Sequence, residues 1–515
     1  MSSGVTDESP TNAGISNPSA ASTLAAVPAS PIPDPVMRGN VLGWVASHPA
    51  TILLTIVLVV MGIFSVCRHS TEWDEVYLRS AKVLLEGKNF YREFVGFTYP
   101  PFPAWVTIPF VYLPTRVARG AWFTICAGSL VYLLKSSWRL AGGPRLEPGA
   151  GAPAVAGREI AASLIGHVIA LQFALNALTH LQPDLPIAAM LMAGCAAIGA
   201  GRFMRGATWI GVAAAFKATP LLFAPYLLWR RQWRAGAWLI LVTVAANLLP
   251  NTVHAPPGGG LWLTRWYTQY LKPMAGADYR PGDWKNLRDN NQAIAGAVNR
   301  WMATTWKAQG NQFELIDRPD QPGPLQMKAA FGASCLAMLL PIAWAEWARR
   351  RRAFFSPPPV LRGRVREGVS ALSLPSETPL PRPPPEYRER EENSLTIPSA
   401  VMIECGIVFL LMVLFSPNSS RAHFCVMYLP AFCLARLAVR GGAEVLLTAL
   451  HALAAITSTL SIHVRLPGSQ VPEQLMLWVG VVMLSSVFLL LACCRALAWY
   501  PADSPSDPRI PTTDN

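Results

Sequence analysis

Apolar runs recur along most of the chain, near residues 49–66, 100–114, 119–136, 159–178, 183–201, 206–229, 235–250, 327–347, 400–416, 423–439, 444–464 and 474–497. A helix needs about 20 such residues to cross the hydrocarbon core of a bilayer, within a range of roughly 17–25. Most of the runs meet that length. In lipid every backbone N–H and C=O must be satisfied inside its own segment, so consecutive runs of this kind fold as helices. Charge points the same way. Only 14% of the 515 residues are charged, where soluble domains carry about a quarter. The pattern predicts an all-α, polytopic transmembrane helical bundle of about 11–13 membrane segments.

The net charge of +13 would suggest nucleic acid in a soluble protein. Here the basic residues lie between apolar runs, where they set topology instead. Arg349, Arg350, Arg351, Arg352, Arg362, Arg364 and Arg366 follow the run 327–347 and put residues 348–398, a Pro/Arg-rich loop, in the cytoplasm. Arg230, Arg231, Arg234, Arg436 and Arg440 put their turns on the same side. Residues 67–99 and 251–326 then become two extended outer loops. Two stretches resist a simple count. Arg116 and Arg119 interrupt residues 100–136, and run 206–229 must leave and return within its own length, with Lys217 at its apex on the outer side.

This divides the chain into a disordered cytoplasmic tail (1–41), a transmembrane module (42–347), the cytoplasmic loop (348–398), C-terminal transmembrane helices (399–499) and a polar tail (500–515). The first segment is rich in Ser, Pro and Ala and lacks the basic stretch and apolar core of a cleavable signal. The nine cysteines show no CxxC spacing, which argues for packing rather than for a zinc site or a disulfide framework. No P-loop, GxGxxG or HExxH pattern occurs.

Several polar residues stand where chemistry could use them. Glu72, Asp74 and Glu75 follow the first run. A carboxylate there can act as general base on an acceptor hydroxyl that attacks a sugar's anomeric carbon. A lipid phosphate is already a good leaving group, so no strong general acid is needed. Asp74 and Glu75 equally suit the start of a short helix, whose positive end favours anions; Gly87 is a plausible stop for that helix. Lys217 lies inside an apolar run, where a charge costs at least ~2.5–3.5 kcal/mol, and an ammonium there suits a phosphate. Arg421 and His423 could also hold a phosphate from the outer side. His180, Gln182 and Asp184 cluster at another outer turn. Asn291 and Gln292, ahead of Arg300, suit either sugar hydroxyls or helix capping.

Four motifs in order carry a resemblance. Asp74-Glu75-Val76-Tyr77 leads through Gly87 and Tyr91 to Tyr99-Pro100-Pro101. Gly211 through Phe216 runs into Lys217-Ala218-Thr219-Pro220. Asn291-Gln292 precedes Arg300, and Ser416-Pro417 precedes His423. Together they resemble the GT-C superfamily of membrane glycosyltransferases, and in particular family 87, the polyprenyl-phosphate-mannose-dependent alpha-mannosyltransferases. The resemblance implies a cell-envelope hexosyltransferase of the cell (inner) membrane with its active site on the outer, periplasmic face. It implies an inverting transfer of a mannose-like sugar from a polyprenyl-phosphate donor to a lipid, glycan or protein acceptor.

It also implies roles. Asp74 would be the catalytic base, with Glu75 as a second catalytic or metal-binding candidate and a divalent ion as a possible cofactor. Lys217, Arg421 and His423 would hold the donor phosphate. Tyr77, Tyr99, Gln182, Asp184, Asn291, Gln292 and Arg300 would line the substrate site. The chain departs from the pattern in places. The family's acid stands one residue further ahead of the tyrosine, where this chain has Trp73. Ser420 and Ala422 replace a Trp and a His of the last motif. A competing reading is a transporter or flippase of lipid-linked saccharide, which also predicts an intramembrane lysine but not an acidic pair with Tyr-Pro-Pro on the first outer loop. An inactive scaffold with the same fold is a third.

Overall fold

The computed structural model describes residues 49–93, 97–144, 153–283, 290–309, 312–355, 399–439, 444–461 and 471–500. The expected tail 1–41, residues 501–515 and most of loop 348–398 lie outside the described residues. The chain divides into Met1–Leu53, of which only the start of one helix is described, and Leu54–Asn515, which holds everything below.

The architecture is an all-α bundle. Its principal helices are α1 (Pro49–Cys67), α2 (Phe102–Val111), α3 (Thr115–Leu140), α4 (Pro153–Thr179), α5 (Asp184–Gly199), α6 (Phe203–Phe216), α7 (Phe223–Trp229) and α8 (Trp233–Leu248). They continue as α9 (Ile294–Ala303), α10 (Pro324–Phe355), α11 (Ala400–Leu414), α12 (Tyr428–Val439), α13 (Val445–Leu460) and α14 (Val481–Trp499). Among the described residues, 6 helices are long and apolar enough to cross a membrane. Exposed apolar side chains such as Leu53, Ile56, Val60 and Ile63 on α1, and Leu336, Leu340 and Trp347 on α10, show that the solvent of this bundle is lipid. The protein is therefore a multi-pass membrane protein. A small antiparallel hairpin, β1 (Thr304–Gln309) and β2 (Gln312–Asp317), pairs Thr304 with Asp317 and Gln309 with Gln312 in the second long loop.

The two stretches that resist counting have physical explanations. Helix α2 has 10 residues, about 15 Å at the α-helical rise, too short to cross. Pro114 then precedes a fresh start at Thr115, and α3 alone crosses. Arg119 and Arg139 thus stand at opposite ends of α3. Run 206–229 is a hairpin. Helix α6 stops at Lys217, whose backbone is extended (φ −153°, ψ 125°), and the chain returns through Thr219–Leu222 and α7. Gly211 lets α6 lie against α8: a Cβ there would meet the Leu239 carbonyl oxygen at 2.9 Å.

Buried charge sorts to two ends. At one, Glu404 accepts hydrogen bonds from Arg230 (2.6 Å), Arg349 (3.0 Å) and the Tyr226 hydroxyl (3.0 Å), and Arg436 pairs with Glu159 at 2.8 Å. At the other end lie the loop after α1, the α4–α5 turn, the apex of the α6–α7 hairpin and the start of the segment leading into α12. Helix α5 runs between them, from Asp184 to Gly199.

Candidate active site

Loop one begins with a wide π-helical turn over Trp73–Leu78 that continues as an α-helix over Arg79–Leu85. Such turns are uncommon and are frequent at functional sites. The turn sends its side chains to different places. Trp73 is fully buried, stacked on Trp122 of α3 with ring centroids 5.6 Å apart. Tyr77 is buried against Tyr99, 5.2 Å between ring centroids. The helix ends at Gly87 with φ +66°, a left-handed stop that glycine adopts freely.

The three acids part company. Asp74 Oδ2 accepts from the Thr71 N–H (2.9 Å), the Thr71 hydroxyl (2.7 Å) and Arg119 Nε (2.8 Å). Arg119 also donates to the carbonyls of Arg68 and, at 2.9 Å, His69. This is a staple that fastens the start of loop one to α3. Glu75 is exposed. Glu72 accepts from Gln182 Nε2 at 2.7 Å and lies within electrostatic reach of His180, Asp184 and Lys217. Burial raises the pKa of its carboxyl above the ordinary value of 4.5, opposed by the Gln182 bond and by His180. Glu72 and Glu75, with Arg68, His69, Ser70, Thr71 and His180, line an open cleft of about 510 Å³.

Behind Glu72 a second group of charges gathers. Lys217 Nζ bonds Asp184 Oδ1 at 3.1 Å, and both side chains are largely buried (14% and 6% exposed). The hairpin break delivers the lysine and the first residue of α5 delivers the aspartate. His423 Nε2 stands 3.9 Å from the same oxygen. Its Nδ1 accepts the Ser420 N–H at 3.1 Å. An accepting ring nitrogen carries no proton, so this contact assigns the proton of a neutral imidazole to Nε2, facing Asp184. Asp184 Oδ2 and Gln182 Oε1 are buried and have no hydrogen-bond partner among the described residues. They are acceptors available to a bound ligand. Tyr77 and Tyr99 lie within electrostatic reach of both Glu72 and Asp184.

The structure thus brings together Tyr77, Tyr99, Gln182, Asp184, Lys217 and His423 from the residues the sequence suggested. Arg421 is half-buried, two residues before His423. Asn291, Gln292 and Arg300 are completely buried and serve a different contact set. The Asn291 side chain donates to Pro417 O (2.9 Å) and accepts from Ser419 N (3.1 Å). The Gln292 N–H donates to Ser419 O at 2.7 Å, and Arg300 donates to Asn291 O and Trp478 O. Asn291 and Gln292 tie the start of α9 to the segment that carries Arg421 and His423, and Arg300 secures Asn291 and Trp478. No three His, Cys, Asp or Glu side chains gather to hold a metal ion among the described residues. Asp74, half of the suggested Asp74–Glu75 metal pair, meets the Arg119 guanidinium through Oδ2, while its Oδ1 is buried with no hydrogen-bond partner among the described residues.

Sequence reasoning passed over Glu72, Arg119 and Trp122 as participants. Glu72 was visible as the first of three loop-one acids, but its direction depends on the π-helical turn and on Gln182, 110 residues away. The α4–α5 turn has its own peculiarity. Helix α4 closes with bonds from Leu181 N to Leu178 O and from Gln182 N to Ala177 O. That closure places Leu181 at φ +55°, where glycine is usual and other residues cost of order 1–3 kcal/mol. The Leu181 side chain is fully buried, and Trp122 Nε1 donates to its carbonyl at 2.8 Å.

The model of glycosyltransferase family 87 matches residues 97–358, half of the chain, including Tyr99, Gln182, Asp184, Lys217, Asn291, Gln292 and Arg300. Searches of curated proteins and of solved structures returned no match. Glu72 and His423 fall outside the matched stretch, and their link to it is the geometry just described. A multi-pass helical bundle whose matched half supplies Asp184 and Lys217 to one polar cluster is a membrane glycosyltransferase, and the chain belongs to glycosyltransferase family 87.

Proposed function

We propose that this enzyme moves a mannose-like hexose from a polyprenyl-phosphate donor to an acceptor at the outer leaflet of the cell membrane, with inversion. The observation that carries this reading is the adjacency of two unlike groups at one end of the bundle. One is an acid in an open cleft, Glu72 held by Gln182. The other is a buried cation, Lys217 paired with Asp184 beside His423. An acid beside a buried ammonium suits an acceptor hydroxyl on one side and a departing phosphate on the other.

Glu72 takes the base role in preference to Asp74, because Asp74 Oδ2 already serves Arg119 and Thr71. The acceptor enters through the cleft lined by Arg68, Glu75 and His180, and Glu72 removes its hydroxyl proton. The hydroxyl oxygen bonds to the anomeric carbon from the face opposite the phosphate. The carbon–oxygen bond to phosphate breaks, and its electron pair leaves on the phosphate. Lys217 has three N–H donors and can keep Asp184 while receiving that charge. His423 Nε2–H and Arg421 add donors, and Asp184 Oδ2 and Gln182 Oε1 accept sugar hydroxyls. Asn291 and Gln292 hold the segment carrying His423 in place, and Arg300 braces Asn291.

The sidedness is supported by the basic residues at the opposite end, Arg139, Arg202, Arg230, Arg234, Arg349 and Arg436, which favour the cytoplasm. The test is a transfer assay on the purified full chain in lipid nanodiscs, offering labelled polyprenyl-phosphate hexoses and, separately, nucleotide sugars, with extracted membrane lipids as acceptors. The expected result is transfer from a polyprenyl-phosphate hexose only. Transfer only from nucleotide sugars, or movement of lipid-linked saccharide across the bilayer without transfer, contradicts it.

A further inference from the structure

Helix α3 contacts the Glu72–Gln182 pair from both sides. Arg119 fastens the loop-one side through Asp74, Arg68 O and His69 O. Trp122, one turn further along, fastens the other side through the Leu181 carbonyl, and Cys126 Sγ, one turn beyond that, lies 3.8 Å from Gln182 O. Residues three and four apart share one face of a helix, so Arg119, Trp122 and Cys126 form a single stripe. Trp122 also stacks on Trp73, the residue next to Glu72. Leu181 holds a left-handed backbone that a leucine does not choose by itself. Its neighbour Gln182 is the donor to Glu72.

We propose that Arg119 and Trp122 are a paired positioning device: α3 acts as a template that holds loop one and the strained Leu181–Gln182 turn in the register that joins Gln182 to Glu72. Neither residue touches the reacting atoms in this scheme. Trp122 acts through Leu181 and Gln182, and Arg119 acts through Asp74 and the backbone that carries Glu72. The proposal rests on the assignment of Glu72 as base for its catalytic consequence, but not for its structural one.

The two parts are separable by experiment. The titration of Glu72 can be followed without any substrate, by the infrared band of its protonated carboxyl, identified by its loss in Glu72→Gln. The charged and titratable groups facing Glu72 are Arg68, His69 and Glu75 of the same cleft, His180 and Asp184 of the α4–α5 turn, Lys217 of the hairpin apex and Tyr77 and Tyr99 of loop one. None of them is altered by Trp122→Phe, which keeps an aromatic ring against Trp73 and removes the N–H donor together with the volume of the fused ring; Gln182→Ala, which leaves Trp122 in place, separates the two losses. Losing the Gln182 bond removes a contact that favours the carboxylate, so the midpoint moves up. The expected results are an upward shift in Trp122→Phe, an equal shift in Gln182→Ala, and no further shift in the double variant. Arg119→Lys provides a second probe and is expected to shift the midpoint in the same direction. An unmoved midpoint in a folded Trp122→Phe protein, or additive shifts in the double variant, overturns the device. Where the transfer assay is active, kcat should fall about tenfold in Trp122→Phe with donor KM unchanged. A shift in the titration with no change in kcat would leave the device standing and remove Glu72 from the base role.

Discussion

The side-chain amide of Gln182 reaches the carboxylate of Glu72 across 2.7 Å, joining residues that are 110 positions apart. That contact connects the open cleft beside His180 to the Lys217–Asp184 pair, since Gln182 is two residues from Asp184. Burial raises the Glu72 pKa while Gln182 and His180 lower it, and burial is the larger effect. A base must be deprotonated to act, so the acid limb of the kcat/KM–pH profile, which reports the free enzyme, should lie above the ordinary glutamate value of 4.5. An acid limb at or below that value would contradict the assignment.

The same shift has a stability consequence of definite sign. A carboxyl whose folded pKa is raised favours folding at pH below its ordinary pKa, and that contribution is lost as pH rises through the folded value. Glu72→Gln, which cannot ionise, should therefore gain thermal stability relative to the native chain as the pH is raised from about 4 to 7. Melting temperatures of both proteins across that range check this.

Asp74→Asn separates fastening from catalysis. The variant keeps the shape of the side chain but removes the charge facing Arg119, a largely buried guanidinium. Removing one partner of a buried pair costs about 3–5 kcal/mol, so a clear drop in melting temperature is expected. Turnover should fall about tenfold through misplacement of loop one, not disappear. Abolished turnover with unchanged stability would return the base role to Asp74.

Lys217→Met leaves Asp184 buried without its ammonium. A loss of about 3–5 kcal/mol is expected, together with a donor KM raised at least tenfold. The double variant Lys217→Met/Asp184→Leu should recover much of the stability and none of the activity. Thermal unfolding and donor titration in the same nanodiscs distinguish the two effects.

Glu404→Gln provides a contrast at the far end. It leaves Arg230 and Arg349 buried without their shared carboxylate, again about 3–5 kcal/mol. Donor KM and the kcat–pH profile should stay at native values, because no group of the active site touches this cluster. A changed profile would show that the two ends are coupled.

Much of the architecture was legible because lipid imposes a blunt rule: apolar runs become helices, and a lysine inside one needs a reason. The Lys217 apex and the basic helix ends followed from it, and the Gly87 stop from glycine's preference at helix ends. The matched family was legible from motif order, with Tyr99-Pro100-Pro101 and Lys217-Ala218-Thr219-Pro220 inside the matched stretch. Side-chain direction within loop one was not. Glu72, Asp74 and Glu75 differ by one to three positions, and a π-helical turn changes the angle at which each projects, so an α-helical or loop reading cannot rank them. Nor was the tying role of Asn291, Gln292 and Arg300 legible, since amide and guanidinium groups suit sugars and backbone carbonyls alike. Trp122 reads as a core aromatic until Leu181 is known to be left-handed.

The base assignment faces its most direct test in the turnover of Glu72→Gln measured beside donor binding. A general base contributes about 10²–10⁴ in rate. The expected outcome is a fall in kcat of that size, with polyprenyl-phosphate-hexose binding within twofold of native. Native-like turnover in Glu72→Gln, with donor bound normally, would contradict the role given to this carboxylate.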